Sequence, residues 1–355
     1  MPDTRTELPT ISARKADHLD LCATGDVGFQ DKTTLLEEVE LVHDALPELA
    51  LADIDLRTEF AGKTLAAPLI IAAMTGGVDR AEAINRDLAG VAEALGIGFA
   101  FGSQRPLLTR GIRAGYAVRD VAPTALVLGN IGVVQARQTS TAALIDLVGE
   151  TGVDALCLHL NPAMEVVQPE GDDDFRGGLD TFARCVAELP FPIAAKETGC
   201  GVSRAVARSL RGVGVKIVDV SGAGGTSWVG VETLRAAGVD EDARMLGELL
   251  WDWGIPTAAS VAMVASEGLT PIATGVIQNG LDVARAIALG AHAAGIARPL
   301  LAAYERGGSD EAARMLDRIE RELRAVMLLV GARDLDALRA SPRVIGPTLS
   351  RWLTT

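Results

Sequence analysis

Eight short apolar runs, separated by longer stretches with helical periodicity, constrain this chain more than any other feature. They are 68-PLIIAAM-74, 97-IGFAFG-102, 124-TALVLGNI-131, 154-DALCLHL-160, 192-PIAAKE-197, 215-VKIVDVSG-222, 271-PIATG-275 and 292-HAAGIA-297. Strands covered on both faces read as continuous apolar runs, because neither face meets water. The stretches between them repeat at helical spacing. Ala83-Ile84, Leu88 and Val91-Ala92-Leu95 form one such pattern, and Val283-Ala284 with Ile287-Ala288 form another that closes at Gly290. Eight strand–helix units favour closure over an open sheet. The expected fold class is α/β, a TIM (β/α)8 barrel in a single domain. Residues 1–64 are expected to form an N-terminal cap segment, 65–300 the barrel core and 301–355 the C-terminal helices. Pro256–Glu267 reads as a helix, since proline suits a first turn and Ala258, Ala259 and Ala262 favour helix. Thr33–Leu46 also reads as helical. Ser309–Val330 reads as an amphipathic helix over the barrel exterior.

Composition narrows the partners. The chain has 355 residues, 48% hydrophobic and only 4% aromatic, a mix suited to tight α/β packing. Its formal net charge is −14, from 33 basic and 47 acidic side chains. Nucleic acids and membrane surfaces both demand a basic face, so neither is expected as a partner. A small anion held by a few Arg and Lys side chains remains compatible. No apolar run is long enough to span a bilayer, and the N-terminus MPDTRTELPT lacks an apolar signal region. The four cysteines, Cys22, Cys157, Cys185 and Cys200, form no CxxC pair. Reduced thiols and a cytoplasmic location are the expectation, with Cys157 in the core.

Barrel active sites gather where the strands end at their C-termini. Here those ends form a polar, glycine-rich set. In order they are Met74-Thr75-Gly76-Gly77, Gly102-Ser103-Gln104-Arg105, Asn130, His159-Leu160-Asn161, Lys196-Glu197, Ser221-Gly222 with Gly224-Gly225-Thr226, Thr274-Gly275, and Ala297-Arg298. Glycine lets backbone N–H groups approach a ligand, and helix N-termini bind phosphate. The usual barrel phosphate site, after strands seven and eight, falls on Gly275 and Arg298. A buried lysine at position 196 needs an anionic partner, which the electron-rich edge of a reduced flavin can supply. Taken singly, each feature has a plainer reading. The glycine pairs are compatible with tight turns, His159 with a satisfied core histidine, Asn130 with a helix cap, and Lys196-Glu197 with an internal ion pair. All strand ends together favour a phosphate-bearing ligand.

The strings 14-RKADH-18, 74-MTGG-77, 102-GSQR-105, 159-HLN-161, 168-QPEGD-172, 196-KETGCGVS-203, 219-DVSGAGGTSW-228 and 252-DWGIPTA-258 occur in that order. Together they resemble the signature set of type 2 isopentenyl-diphosphate isomerases, from about Arg14 to Arg298. The resemblance implies an FMN-dependent homo-oligomer, a tetramer or octamer. It would interconvert isopentenyl and dimethylallyl diphosphate using reduced FMN and Mg2+, with NAD(P)H as reductant. By the same resemblance FMN would contact Ala73, Met74, Thr75, Ser103, Asn130, Lys196, Ser221, Thr226, Gly275, Ala297 and Arg298. The prenyl diphosphate would meet Arg14, Lys15, Arg105, His159, Asn161 and Gln168. Glu165 would bind Mg2+, with His159, Glu165, Lys196 and Met164 as the catalytic set.

Two positions depart from that pattern. The family carries a glutamine, thought to relay a proton, where 159-HLNPAME-165 has Met164. A thioether has no transferable proton. The family's glycine-rich turn with an arginine appears here as 274-TGVIQ-278, with Val276 and Gln278 in place of glycine and arginine. The expected activity is therefore the isomerisation. The alternative is a relative repurposed to protonate, cyclise or shift the double bond of another prenyl diphosphate. A flavin oxidoreductase would want a base at a late strand end, whereas His292 starts the eighth run. A non-catalytic FMN carrier would leave Glu165, His159 and 168-QPEGD-172 without a role.

Overall fold

The structure, a computed structural model, describes residues 18, 20–22, 26–76, 79–169 and 171–354. Eight strands form its centre. They are β1 (Leu69–Ile71), β2 (Gly98–Ala100), β3 (Leu126–Gly132), β4 (Ala155–Leu160), β5 (Ile193–Glu197), β6 (Ile217–Asp219), β7 (Thr270–Ala273) and β8 (Ala293–Ile296). They pair in chain order, all parallel, and β8 closes on β1 through Ala294↔Leu69 to Ile296↔Ile71. The chain is a (β/α)8 barrel, and each apolar run of the sequence holds one strand.

Alternation along the strands builds two cores. Leu126, Leu128, Ala155, Cys157, Ala194, Ile272 and Ala293 point into the barrel, while Val127, Leu156, Leu158 and Ala195 pack outward under the helices. The hairpin Thr58–Phe60/Lys63–Leu65 sends Phe60 and Leu65 into the inner cluster. His292, at the start of β8, bonds to Thr58 and to the carbonyl of Glu59. The hairpin thus closes the N-terminal end of the barrel, which leaves the opposite mouth for ligands.

Helix Thr257–Ser266 follows the sequence expectation, except that Pro256 is its N-cap and lies outside the first turn. The outer helix is longer than its apolar pattern. It runs Arg298–Leu329 and breaks at Gly307–Gly308, where Gly308 has φ 65°. Its second half buries Ala312, Leu316, Ile319, Leu323 and Met327, a stripe at helical spacing. Thr33–Leu46 overturns the helical reading. It holds a short 3-10 turn, Leu36–Glu38, and a strand, Val39–Leu41, antiparallel to Arg343–Ile345. Leu35 sits at φ 56°, which stops a helix. The Val39 carbonyl accepts from Arg285 and the Glu38 carboxylate accepts from the Leu349 N–H. These distant partners outweigh local helix propensity.

Leu323 is fully buried under the outer helix and lies far along the chain from the strand ends. Leu323→Ala should cost about 2–5 kcal/mol of stability through cavity formation. Urea unfolding measures that loss, and the FMN content of the folded variant should match wild type.

Candidate active site

A cleft opens at the C-terminal mouth of the barrel and encloses about 1570 Å3 counted out to its open rim. Strand ends from the whole ring reach it. Ala73, Met74, Thr75, Ser103, Asn130, Lys196, Ser221, Thr226, Gly275, Ala297 and Arg298 all line it. So do Arg105, His159, Asn161, Met164, Glu165 and Gln168. Arg14 and Lys15 lie outside the described residues. The last residue of their string, His18, does line the cleft, where Nε2 is 2.7 Å from the buried Glu232 carboxylate and the ring packs edge-on to Trp228.

The floor corrects two readings of Lys196. Glu197 is not its side-chain partner, and no flavin edge is needed to balance its charge. Lys196 Nζ donates to Asp219 Oδ2 at 2.9 Å and to the main-chain oxygen of Glu197 at 3.1 Å. The register makes this automatic, since Lys196 on β5 lies beside Asp219 on β6. The Thr274 hydroxyl donates to the other Asp219 oxygen and accepts from the Ser221 N–H at 2.9 Å. Glu197 turns away and accepts from the N–H groups of Gly199, Cys200 and Gly201. Burial is the largest influence on this carboxyl and pushes it up to about 7, against those N–H groups.

The β3–β4 side holds the polar cluster. Asn130 lies within β3 and caps no helix. Its Nδ2 donates to the Phe101 carbonyl, so its Oδ1 faces His159 and accepts from Nδ1 at 2.9 Å. That bond puts a proton on Nδ1 and orients the ring. Glu165 Oε1 accepts from Asn161 Nδ2 at 2.6 Å, and Oε2 accepts from the Asp172 N–H at 2.8 Å. Asp172 in turn holds Arg105 at 2.9 Å and Gln135 at 2.7 Å. The Oε1 of Gln168 is buried without a hydrogen-bond partner beside this carboxylate. An orphaned amide oxygen next to a carboxylate suits a hard, oxygen-preferring cation. Among the described residues no three His, Cys, Asp or Glu side chains converge as a complete metal cage. A cation here would fill its shell from water or ligand oxygens.

Across the mouth, the β6–β8 ends pack backbone on backbone. Gly275 has φ 107°, and a Cβ there would run into the Gly222 carbonyl. The outer helix begins at Arg298 with its first turn lining the cleft, the arrangement that favours an anion. Arg298 Nε also donates to the Cys22 carbonyl. The glycine cradle, the helix start and the ammonium at the floor fit a flavin with a phosphate tail. Val276 has φ 56°, a left-handed conformation that β-branched residues strongly disfavour. Gln278 is exposed outside the cleft, and its N–H bonds Asp282. Backbone and Arg298 are what this turn presents to a phosphate.

Sequence reasoning overlooked Asp219, Asp172, Gln135 and Trp228. Asp219, Asp172 and Trp228 sit inside quoted strings, and an aspartate ending the apolar 217-IVD-219 was a signal in itself. Gln135, in the helix after β3, left no such mark.

The family model for FMN-dependent dehydrogenases matches residues 179–344. Among solved structures, a mandelate oxidase superposes with a TM-score of 0.66 at 18% identity, covering 93% of this chain and 96% of that one. A putative lactate oxidase of Pediococcus acidilactici gives 0.67 at 15% identity, covering 94% and 93%. These likenesses are of fold. Fold, cleft and family model together define an FMN-dependent (β/α)8-barrel protein.

Sequence relatives are more specific. The chain is 44% identical over 347 residues to an isopentenyl-diphosphate delta-isomerase of Methanothermobacter thermautotrophicus, covering 97% of this chain and 96% of that protein. It is 44% identical over 346 residues to the one from a Synechococcus species, covering 95% and 97%. The chain belongs to the isopentenyl-diphosphate delta-isomerase family, and is an isomerase.

Two outcomes follow from this geometry. Relieving the left-handed valine with Val276→Gly should raise stability by about 0.5–1 kcal/mol, less than the full strain because glycine loosens the unfolded chain. Thermal melts of the two proteins check it. Glu197 carries no penalty below its ordinary value of 4.5, where folded and unfolded chains are both protonated. Its cost to the fold grows as pH rises and is complete above about 7. The stability of Glu197→Gln relative to wild type should therefore increase between about pH 5 and about pH 8. Urea midpoints at both values test this, and a constant difference would contradict it.

Proposed function

We propose that the chain interconverts isopentenyl and dimethylallyl diphosphate with FMN and Mg2+ and no net redox change. NAD(P)H reduces the flavin, and the protein works in the cytoplasm as a homo-oligomer, a tetramer or octamer. Residues 1–64 serve as a cap on the barrel core of 65–300, and 301–355 cover its exterior. One observation carries the reading. A single cleft holds the anion-binding cradle of β6–β8 on one arc and Arg105, His159, Asn161 and Glu165 on the facing arc, with Lys196 between them.

The isomerisation adds a proton at one carbon and removes one from another, passing through positive charge on a small apolar skeleton. Reduced FMN, when bound, would supply an electron-rich ring to the reaction. Arg105 offers the diphosphate a guanidinium fork, which Asp172 holds until the ligand arrives. Asn161 and His159 add donors beside it. Glu165 with Gln168 would hold Mg2+, which completes its shell from phosphate oxygens and water. Met164 and Trp228 line the same cleft with polarizable surface suited to a passing cation. Met164 is half-buried and has no exchangeable proton. This side chain therefore shields charge and takes no part in proton relay.

Met164 also favours a second reading, action on a larger prenyl diphosphate whose cation the cleft shields. Incubating the FMN protein anaerobically with isopentenyl diphosphate, Mg2+ and dithionite in D2O decides between them. Deuterated dimethylallyl diphosphate is the expected product. No turnover, together with conversion of a longer prenyl diphosphate, would transfer support to the second reading. Met164→Gln should raise the isomerisation rate by about tenfold or more if proton transfer at this position limits it. An unchanged rate would place the limiting acid–base step elsewhere in the cleft.

A further inference from the structure

We propose that Asp219 is a positioning residue for the flavin, acting through Lys196. It pins the ammonium at the cleft floor so that the charge faces the electron-rich edge of the bound ring. The inference rests on FMN occupying the cleft.

Three strands converge on this point. β5 supplies Lys196, β6 supplies Asp219, and the residue after β7 is Thr274. Lys196 is 7% exposed and Asp219 is 6% exposed, so the pair is built into the barrel and is not a surface ion pair. Lys196 lines the cleft, whereas Asp219 lines only a separate small void that Lys196 also borders. Asp219 is absent from the cleft lining and is placed to work through its neighbour. Both of its oxygens are held, one by Lys196 at 2.9 Å and the other by the Thr274 hydroxyl. That hydroxyl is itself aligned by the Ser221 N–H.

An ammonium has three donors. Two are spent inside the barrel, on Asp219 and on the Glu197 carbonyl. Among the described residues the third has no partner. The other ionisable groups packed here do not compete. The Cys157 thiol below is pushed up to about 12 by burial and stays neutral, and the Glu197 carboxylate is occupied by the 199–201 backbone. Lysine reaches its position through four flexible bonds, and these two acceptors fix where its charge points.

Sulfite tests this on the FMN-loaded protein. Its lone pair forms a bond to N5 of oxidised flavin, and the pair displaced from the ring leaves negative charge over N1 and the adjoining carbonyl. Sulfite affinity, read from bleaching of the flavin absorbance, thus reports positive charge held at that edge. Lys196→Met should weaken sulfite binding about tenfold or more, and Asp219→Asn by a similar factor. Adding Asp219→Asn to Lys196→Met should weaken it no further, because the aspartate supports the flavin only through the lysine and without it is a stranded negative charge. Thr274→Val should weaken it by about threefold, while Thr274→Ser, which keeps the hydroxyl, should match wild type.

Unchanged or tighter sulfite binding in Asp219→Asn overturns the inference. So does an equal weakening by that substitution with and without Lys196, or a wild type that forms no adduct. If Asp219→Asn fails to fold, unchanged affinity in Thr274→Val overturns it by the same reasoning. Failure of wild type to bind FMN at all would instead remove the flavin reading on which the inference stands.

Discussion

Closure of the eight-stranded parallel barrel is the constraint on which everything else here depends. Parallel strands send all their C-terminal residues to one rim, and the β8–β1 pairing bends that rim into a ring. Residues more than two hundred positions apart in the chain, such as Met74 and Arg298, then share one cleft. The register is equally decisive. His159, Lys196 and Asp219 lie side by side on β4, β5 and β6 because their backbones are paired there. The hairpin that seals the other end makes the ring one-sided, so that polar side chains collect only where a ligand can enter.

Charge in this acidic chain is handled by local pairing. Two cations at the cleft have acidic neighbours, Lys196 with Asp219 and Arg105 with Asp172, and the His18 ring bonds Glu232. The pairs differ in burial, and burial decides what each can do. Lys196 and Asp219 are nearly closed off from water, where separating them would strand a charge, so they form a fixed element. Arg105 and Asp172 are each about one-third exposed, at 33% and 31% of the side chain. A diphosphate with more negative charge can take over that guanidinium at modest cost. A rigid pair at the floor and an exchangeable one at the rim match a resident cofactor below and a transient substrate above.

The strand ends were legible as candidates because a buried parallel strand has no reason to end in His159, Lys196 or Ser221 unless a ligand or partner meets them. Their partners were harder to see. Lysine at 196 plainly required an anion, but nearest in sequence was Glu197, and alternation along a strand points neighbours to opposite sides. The true partner, Asp219, is beside it only across the sheet. Gln168 was recognised within its string, yet its unsatisfied amide oxygen is a property of burial. Thr33–Leu46 failed as a helix for a related reason. Its strand exists only because Arg343–Ile345 lies alongside.

The barrel, the family and the identities of the groups at its mouth are readable from the amino-acid letters. Apolar runs, their number and their polar ends are local records of which faces are covered. The letters also exposed the departures at Met164 and Val276, since a missing proton or a β-branched side chain is visible in the letter alone. The tertiary structure alone decided which charges pair, which way Asn130 and His159 share a proton, and that Val276 bears a left-handed backbone. Those depend on strand register and on contacts between residues tens to hundreds of positions apart, where hydrogen-bond geometry and desolvation act over a few ångströms of space with no local trace in the chain.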